Sequence, residues 1–179
     1  MKRYSVRQGV LVVIAGGALG LAALAALALP PGTAQADPAG NKAVVEQLIT
    51  DVALNGDDAL FEEIFADDFA GHLPPSTGDW AEVTKIQMRD LITLTTRALS
   101  DLEITSDLLL AEGDLVAQRV TMRGTFASEF FDTPPTDVEL ETSFNILYRF
   151  NDSGQIAEQW IEFDVGYLTS EVGLTTVTE

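Results

Sequence analysis

The chain has 179 residues and a formal net charge of −18, from 28 acidic and 10 basic residues. Three of the bases, Lys2, Arg3 and Arg7, lie in the first 36 residues without an acid, so the remainder carries 28 acids against seven bases, or −21. So anionic a body is repelled by phosphate backbones and anionic lipid surfaces; the lack of cysteine excludes disulfides, thiolate metal sites and a cysteine nucleophile; and 46% hydrophobic residues suffice for one folded domain.

The N-terminal segment reads as an address. A basic start over 1–8 precedes Val10 to Leu29, a run without a charge. Pro30, Pro31 and Gly32 break it before Ala34-Gln35-Ala36, small residues at the positions a signal peptidase reads. This order predicts a secretory signal peptide over 1–36, cleaved after Ala36, which leaves the rest secreted or periplasmic. Uncleaved, residues 10–29 are long enough to anchor the chain in a membrane.

Residues 37–40 form a short linker, 41–174 the folded domain and 175–179 a tail. Asn41 caps a helix to about Leu54, with Val44, Val45, Leu48, Ile49 and Val52 on its apolar side. Asp57 starts a shorter helix that buries Leu60, Phe61, Ile64 and Phe65. Phe69 to Pro75 is a strand-like or loop stretch. A third helix starts near Asp79 and runs to about Leu99, with Trp80, Val83, Met88, Leu91, Ile92 and Leu99 toward the core.

The period then changes to two. Leu102–Ala111 and Leu115–Phe126 are strands about a Glu112-Gly113-Asp114 turn. Val116, Val120 and Met122 share one face of the second, and Arg119, Thr121 and Arg123 the other. A Pro134-Pro135 loop precedes the strand Val138–Phe150. A hairpin turn at 151–154 leads to a last strand from Gln155 to about Asp164. Three helices followed by an antiparallel meander predict an α+β fold, with a curved, cone-shaped sheet packed against the helices. The open end of such a cone is a natural apolar pocket for a hydrophobic small molecule.

The chemical inventory is narrow. There is no H-E-x-x-H, Gly-rich phosphate loop or G-x-S-x-G elbow, no calcium loop, and only one histidine, so no metal site is expected. What remains is acid–base work by a carboxylate or imidazole in an apolar pocket. On the last strand, Ile156, Glu158, Trp160, Glu162 and Asp164 fall on one face, and Ala157, Gln159, Ile161, Phe163 and Val165 on the other. An acid beside the Trp160 indole is the candidate base, and Glu162 and Asp164 both qualify. His72 is either a second catalytic group or a histidine satisfied by its own loop. Arg119 and Arg123 either orient an anionic oxygen or pair with surrounding acids. Tyr148 and Trp160 either line the pocket or pack the core.

Several blocks carry a resemblance. They run from Asn41-Lys42-Ala43-Val44-Val45 through Asn55-Gly56-Asp57 and Phe65-Ala66-Asp67-Asp68-Phe69 to His72-Leu73-Pro74-Pro75 and Leu110-Ala111-Glu112-Gly113-Asp114. Then come Arg123-Gly124-Thr125, Glu129-Phe130, Pro134-Pro135-Thr136, and Gly154 to Trp160 with Asp164. In order and spacing they resemble the SnoaL-like polyketide cyclases, or ester cyclases, of the nuclear transport factor two-like (ketosteroid isomerase-like) fold, over about residues 41–174. The resemblance implies no cofactor and an aldol-type cyclisation or isomerisation by an acidic general acid/base. By position it implies Asp164 as that residue and His72 as its assistant, with Trp160, Arg119, Tyr148 and Gln159 as substrate-binding residues. Phe126 and Gln159 stand where the family often has histidines. Two expectations follow: a cofactor-independent cyclase-like or isomerase-like enzyme, or a non-catalytic extracytoplasmic small-molecule-binding module. A third is a module that dimerises, since the fold often pairs through its sheet.

Overall fold

Alternation along two central strands sets the architecture. In β4 (Leu115–Phe126) Val116, Gln118, Val120 and Met122 are buried while Ala117, Arg119 and Arg123 are exposed. In β5 (Glu139–Phe150) Leu140, Thr142, Tyr148 and Phe150 are buried, and Glu141, Asn145 and Arg149 are exposed. A strand that puts apolar side chains on one face needs a layer to cover that face. In this computed structural model, which describes residues 37–74, 81–130 and 133–172, helices supply the cover.

The element order is α1 (Pro38–Gln47) with a π-helical continuation (Leu48–Leu54), α2 (Asp58–Ile64), β1 (Phe65–Leu73), β2 (Ala81–Thr84), α3 (Lys85–Ala98), β3 (Leu99–Glu112), β4, β5, β6 (Ile156–Glu162) and α4 (Val165–Val172). The sheet order is β2-β1-β6-β5-β4-β3. The meander from β3 to β6 is antiparallel, and β1 joins β6 in parallel. Helix α1 packs on β3 and β4, α3 on β1 and β3, and α4 on β5. The expected α+β fold, a curved sheet against helices, is what the chain adopts.

Several boundaries differ from the sequence expectations, each for a local reason. The cap of α1 is Asp37, whose carboxylate accepts from the Gly40 N–H at 3.0 Å, and Pro38 occupies the first turn, where its missing N–H costs nothing. Asn41, expected as the cap, is therefore inside the helix and buried, and residues 38–40 are its first turn rather than linker. Helix α3 begins at Lys85, not near Asp79, because residues 81–84 pair with β1 in register Leu73↔Ala81 to Ala70↔Thr84. Thr84 and Gln87 then form a reciprocal capping box. Residue 80, expected in the core, lies outside the described residues, as does the whole 1–36 segment. Strand β6 ends at Glu162, and Asp164 caps an unanticipated helix, α4.

The assignment of Ile156 to the face of Glu158 and Trp160 is also corrected. The register slips between Arg149↔Glu158 and Phe150↔Ile156, so Ala157 is an extra residue. That slip turns Ile156 into the core, fully buried with Phe150, while Gln159 and Ile161 keep the inward phase.

Two apolar clusters form the interior. One joins Val45, Phe61, Phe65, Phe69, Met88 and Ile156, with Phe61 stacked on Phe65 at 4.4 Å and Phe69 edge-on to Phe65 at 4.9 Å. Each such ring contributes about 1.5–3 kcal/mol by burial. The second joins Ala98, Leu99, Met122, Phe126 and Leu140. Gly71 leaves room on β1 for Val83 of β2 and Met88 of α3, since a Cβ there would meet Val83 Cγ2 at 2.7 Å and Met88 Cε at 2.8 Å.

Lys85 pins these layers. Its buried ammonium donates to the carbonyl oxygens of Glu62 (3.0 Å) and Phe65 (2.8 Å), at the C-terminal end of α2, and pairs with Glu62 Oε2 at 3.0 Å. A cation there meets the negative end of the helix and satisfies carbonyls the helix leaves open. Lys85→Met should therefore lower stability by about 2–4 kcal/mol in urea denaturation. Arg89→Ala, which removes a more exposed partner of Glu62, should change it by less than about 1 kcal/mol.

Candidate functional site

Between the two clusters lies a cavity of about 780 Å³. Leu48, Met88 and Tyr148 bound it from the first cluster, and Leu99, Met122 and Phe126 from the second. The π-helical stretch contributes Leu48, Ile49 and Ala53, and α4 contributes Val165 and Leu168. No described residue lining the cavity is Asp, Glu, His, Lys or Arg. In a chain with 28 acids this segregation is the site's defining property.

Helix α3 brings the half-buried Thr95 and Thr96 to the cavity wall, and three adjacent strands bring buried polar side chains. Gln118 (β4), Tyr148 (β5) and Gln159 (β6) all line the cavity and are buried. Tyr148 and Gln159 are direct cross-strand partners. The Tyr148 hydroxyl donates to Gln118 Oε1 at 3.1 Å, and Gln118 Nε2 donates to Ser106 Oγ on β3 at 3.0 Å. Burial pushes the Tyr148 phenol far above its ordinary value, so it stays protonated and serves as a neutral donor. Gln118 is not among the residues singled out from sequence, although its place between Val116 and Val120 marks a polar residue on the inward face.

The other residues marked by sequence lie elsewhere. His72, Trp160 and Arg119 are on the outer face of the sheet, turned from the cavity by alternation. His72 Nε2 is 2.9 Å from Glu158 Oε1, and Arg149 Nη1 is 2.6 Å from Glu158 Oε2. The His72 and Trp160 rings stack at 5.1 Å and 14°, and the Arg149 guanidinium sits 5.0 Å from the Trp160 ring centroid. Arg119 donates to Asn145 at 3.4 Å, and Arg123 pairs with Glu141 at 2.9 Å, both exposed. The Arg123 pair lowers the Glu141 carboxyl below its ordinary range through a hydrogen bond and charge attraction. Glu162 is exposed and sits opposite Asn145. Asp164 is also exposed, and its Oδ1 accepts from the Tyr167 N–H at 2.9 Å at the start of α4. It follows Phe163 and precedes Val165, both cavity-lining, but does not itself line the cavity. The structure thus brings together Tyr148 and Gln159, and separately His72 and Trp160, and joins neither pair to Asp164.

The comparisons agree with this architecture. The family model described as SnoaL-like polyketide cyclase matches residues 43–170. AclR from Streptomyces galilaeus, provisionally named a hydroxylase, superposes with a TM-score of 0.65 at 23% identity, over 80% of this chain and 87% of its own. IdmH from Streptomyces antibioticus, provisionally named a polyketide cyclase, gives 0.62 at 25% identity over 75% and 99%. TsrD from Streptomyces laurentii gives 0.64 at 21% over 78% and 98%. No functionally curated protein matches the chain.

Tyr148→Phe should cost about 1–3 kcal/mol in denaturant unfolding, because Gln118 Oε1 loses its donor in a buried place. It should also flatten the alkaline limb of the stability profile. Above pH ~10 the unfolded chain releases the Tyr148 proton while the folded chain holds it, so wild-type stability falls as pH rises, and the variant lacks this contribution.

Proposed function

Since the chain belongs to the SnoaL-like polyketide cyclase family, we propose that it is an exported protein that takes a hydrophobic small molecule into the cone cavity. The observation that carries this reading is the uncharged lining of the 780 Å³ cavity. Its size falls within the range of about 300–1,000 Å³ that holds drug-sized ligands. Apolar walls drive uptake by removing apolar ligand surface from water. Gln118, Tyr148 and Gln159 then orient the ligand by hydrogen bonds.

Binding without turnover is the reading favoured by the described lining, which offers amides, threonine hydroxyls and a neutral phenol and no carboxylate or imidazole to move a proton. Native mass spectrometry of the purified protein should detect a bound apolar molecule of unchanged mass after incubation. Thr95→Trp, which fills a lining position on α3, should release it while circular dichroism stays as in the wild type. Retention of the molecule at wild-type occupancy would remove the cavity from consideration.

Acid–base catalysis by Asp164, assisted by His72, is the second reading. It is favoured by the position of Asp164 between two cavity-lining residues, Phe163 and Val165. Asp164→Asn keeps a good helix cap and removes the base. If the protein converts its ligand, this variant should lose the conversion and keep its thermal midpoint, whereas full conversion would exclude the aspartate. Export has its own check: intact mass of protein recovered outside the cytoplasm should correspond to a chain beginning at Asp37.

A further inference from the structure

Gln159 carries an unmet requirement. Its Oε1 is buried without a hydrogen-bond partner among the described residues. The residue is 4% exposed and lines the cavity. A buried acceptor left unpaired is destabilising, and native proteins keep few of them. Tyr148 directs its proton to Gln118, and Gln118 donates to Ser106, so neither bond serves Gln159. The cavity wall therefore includes a residue whose acceptor the described protein leaves unpaired.

From this we infer that the ligand is an uncharged molecule with an apolar body and a hydroxyl group, and that the hydroxyl seats on Gln159. The inference rests on the small-molecule reading above and specifies its ligand class. A hydroxyl is the group that suits the site because it both donates and accepts. It is therefore matched to a carboxamide in either of the two orientations related by a half-turn of the amide. An ionised ligand is excluded by the same walls: no described lining residue carries a charge to replace the water it would lose. Methylene and aromatic surface meets Leu, Ile, Met and Phe, so the rest of the molecule is hydrocarbon-like.

The test uses three probes on one skeleton, naphthalenemethanol, methylnaphthalene and naphthoate, titrated against the full mature protein by calorimetry. The wild type should bind the alcohol about tenfold more tightly than the hydrocarbon, with naphthoate weakest. In Gln159→Met, of similar length and without the amide, the ratio of alcohol to hydrocarbon should fall to about one. The unliganded variant should melt no lower than the wild type, because the orphaned acceptor has been removed. An alcohol preference that survives in Gln159→Met, or a naphthoate that binds best, overturns the inference. A lower melting point for the unliganded variant also overturns it, since the amide would then be satisfied in the empty protein. If methylnaphthalene binds and the alcohol binds no better, the hydroxyl assignment fails and the apolar pocket stands. If neither neutral probe binds, the pocket reading fails and this inference with it.

Discussion

The alternation of side chains across β4, β5 and β6 is the constraint on which everything else depends. One phase sends Val116, Val120, Met122, Leu140 and Ile161 toward the helices, and the opposite phase sends Arg119, Arg123, Glu141, Arg149 and Glu158 to the outer face. A shift of one residue in any of these strands would bury that strand's charges without partners and expose its apolar side chains. Register is therefore held by the cost of error. The slip between β5 and β6, at Ala157, preserves burial, because it turns Ile156 inward rather than a charge.

The same constraint shapes the cavity's chemistry. Three buried polar side chains of these strands line the cavity, and two of them are bonded to each other: Tyr148 gives its proton to Gln118, which passes a hydrogen bond to Ser106. Gln159 is left over. A network that is complete except at one position facing a ligand space is an arrangement for orientation, since the completed part is rigid and the incomplete part is selective. Lys85 contributes from a distance by tying α3 to the end of α2, which keeps a cavity wall in place.

Family membership does not select a reaction. Structures of the same fold carry different names, a hydroxylase for AclR and a polyketide cyclase for IdmH, and a shared scaffold hosts whatever its lining residues support. In this chain the acids that draw attention in the sequence have other occupations. Asp164 caps α4, and Glu158 bridges His72 and Arg149 beside Trp160 on the outer face. The outer cluster is compact and well bonded, and it belongs to the sheet's far side.

Much of the fold was legible because local rules and global fold agree. The helix face of Val45, Leu48 and Val52, the turn at Gly113 with its φ of 60°, and the limits of β4 all follow from spacing and turn chemistry. The inward placement of Tyr148 and Gln159 follows from period two. Sequence alone also determined the charge division, bases without acids over residues 1–36 and a strongly acidic remainder, since that needs only residue order. Tertiary structure decided the rest. Residues 81–84 became a strand because β1 offered an edge, against a helical expectation, and Asp164 became a cap because β6 ended two residues earlier. Whether an acid near Trp160 faces the cavity depended on a bulge and a strand end. Both are settled by pairing with distant residues, and no pattern within the strand itself records them.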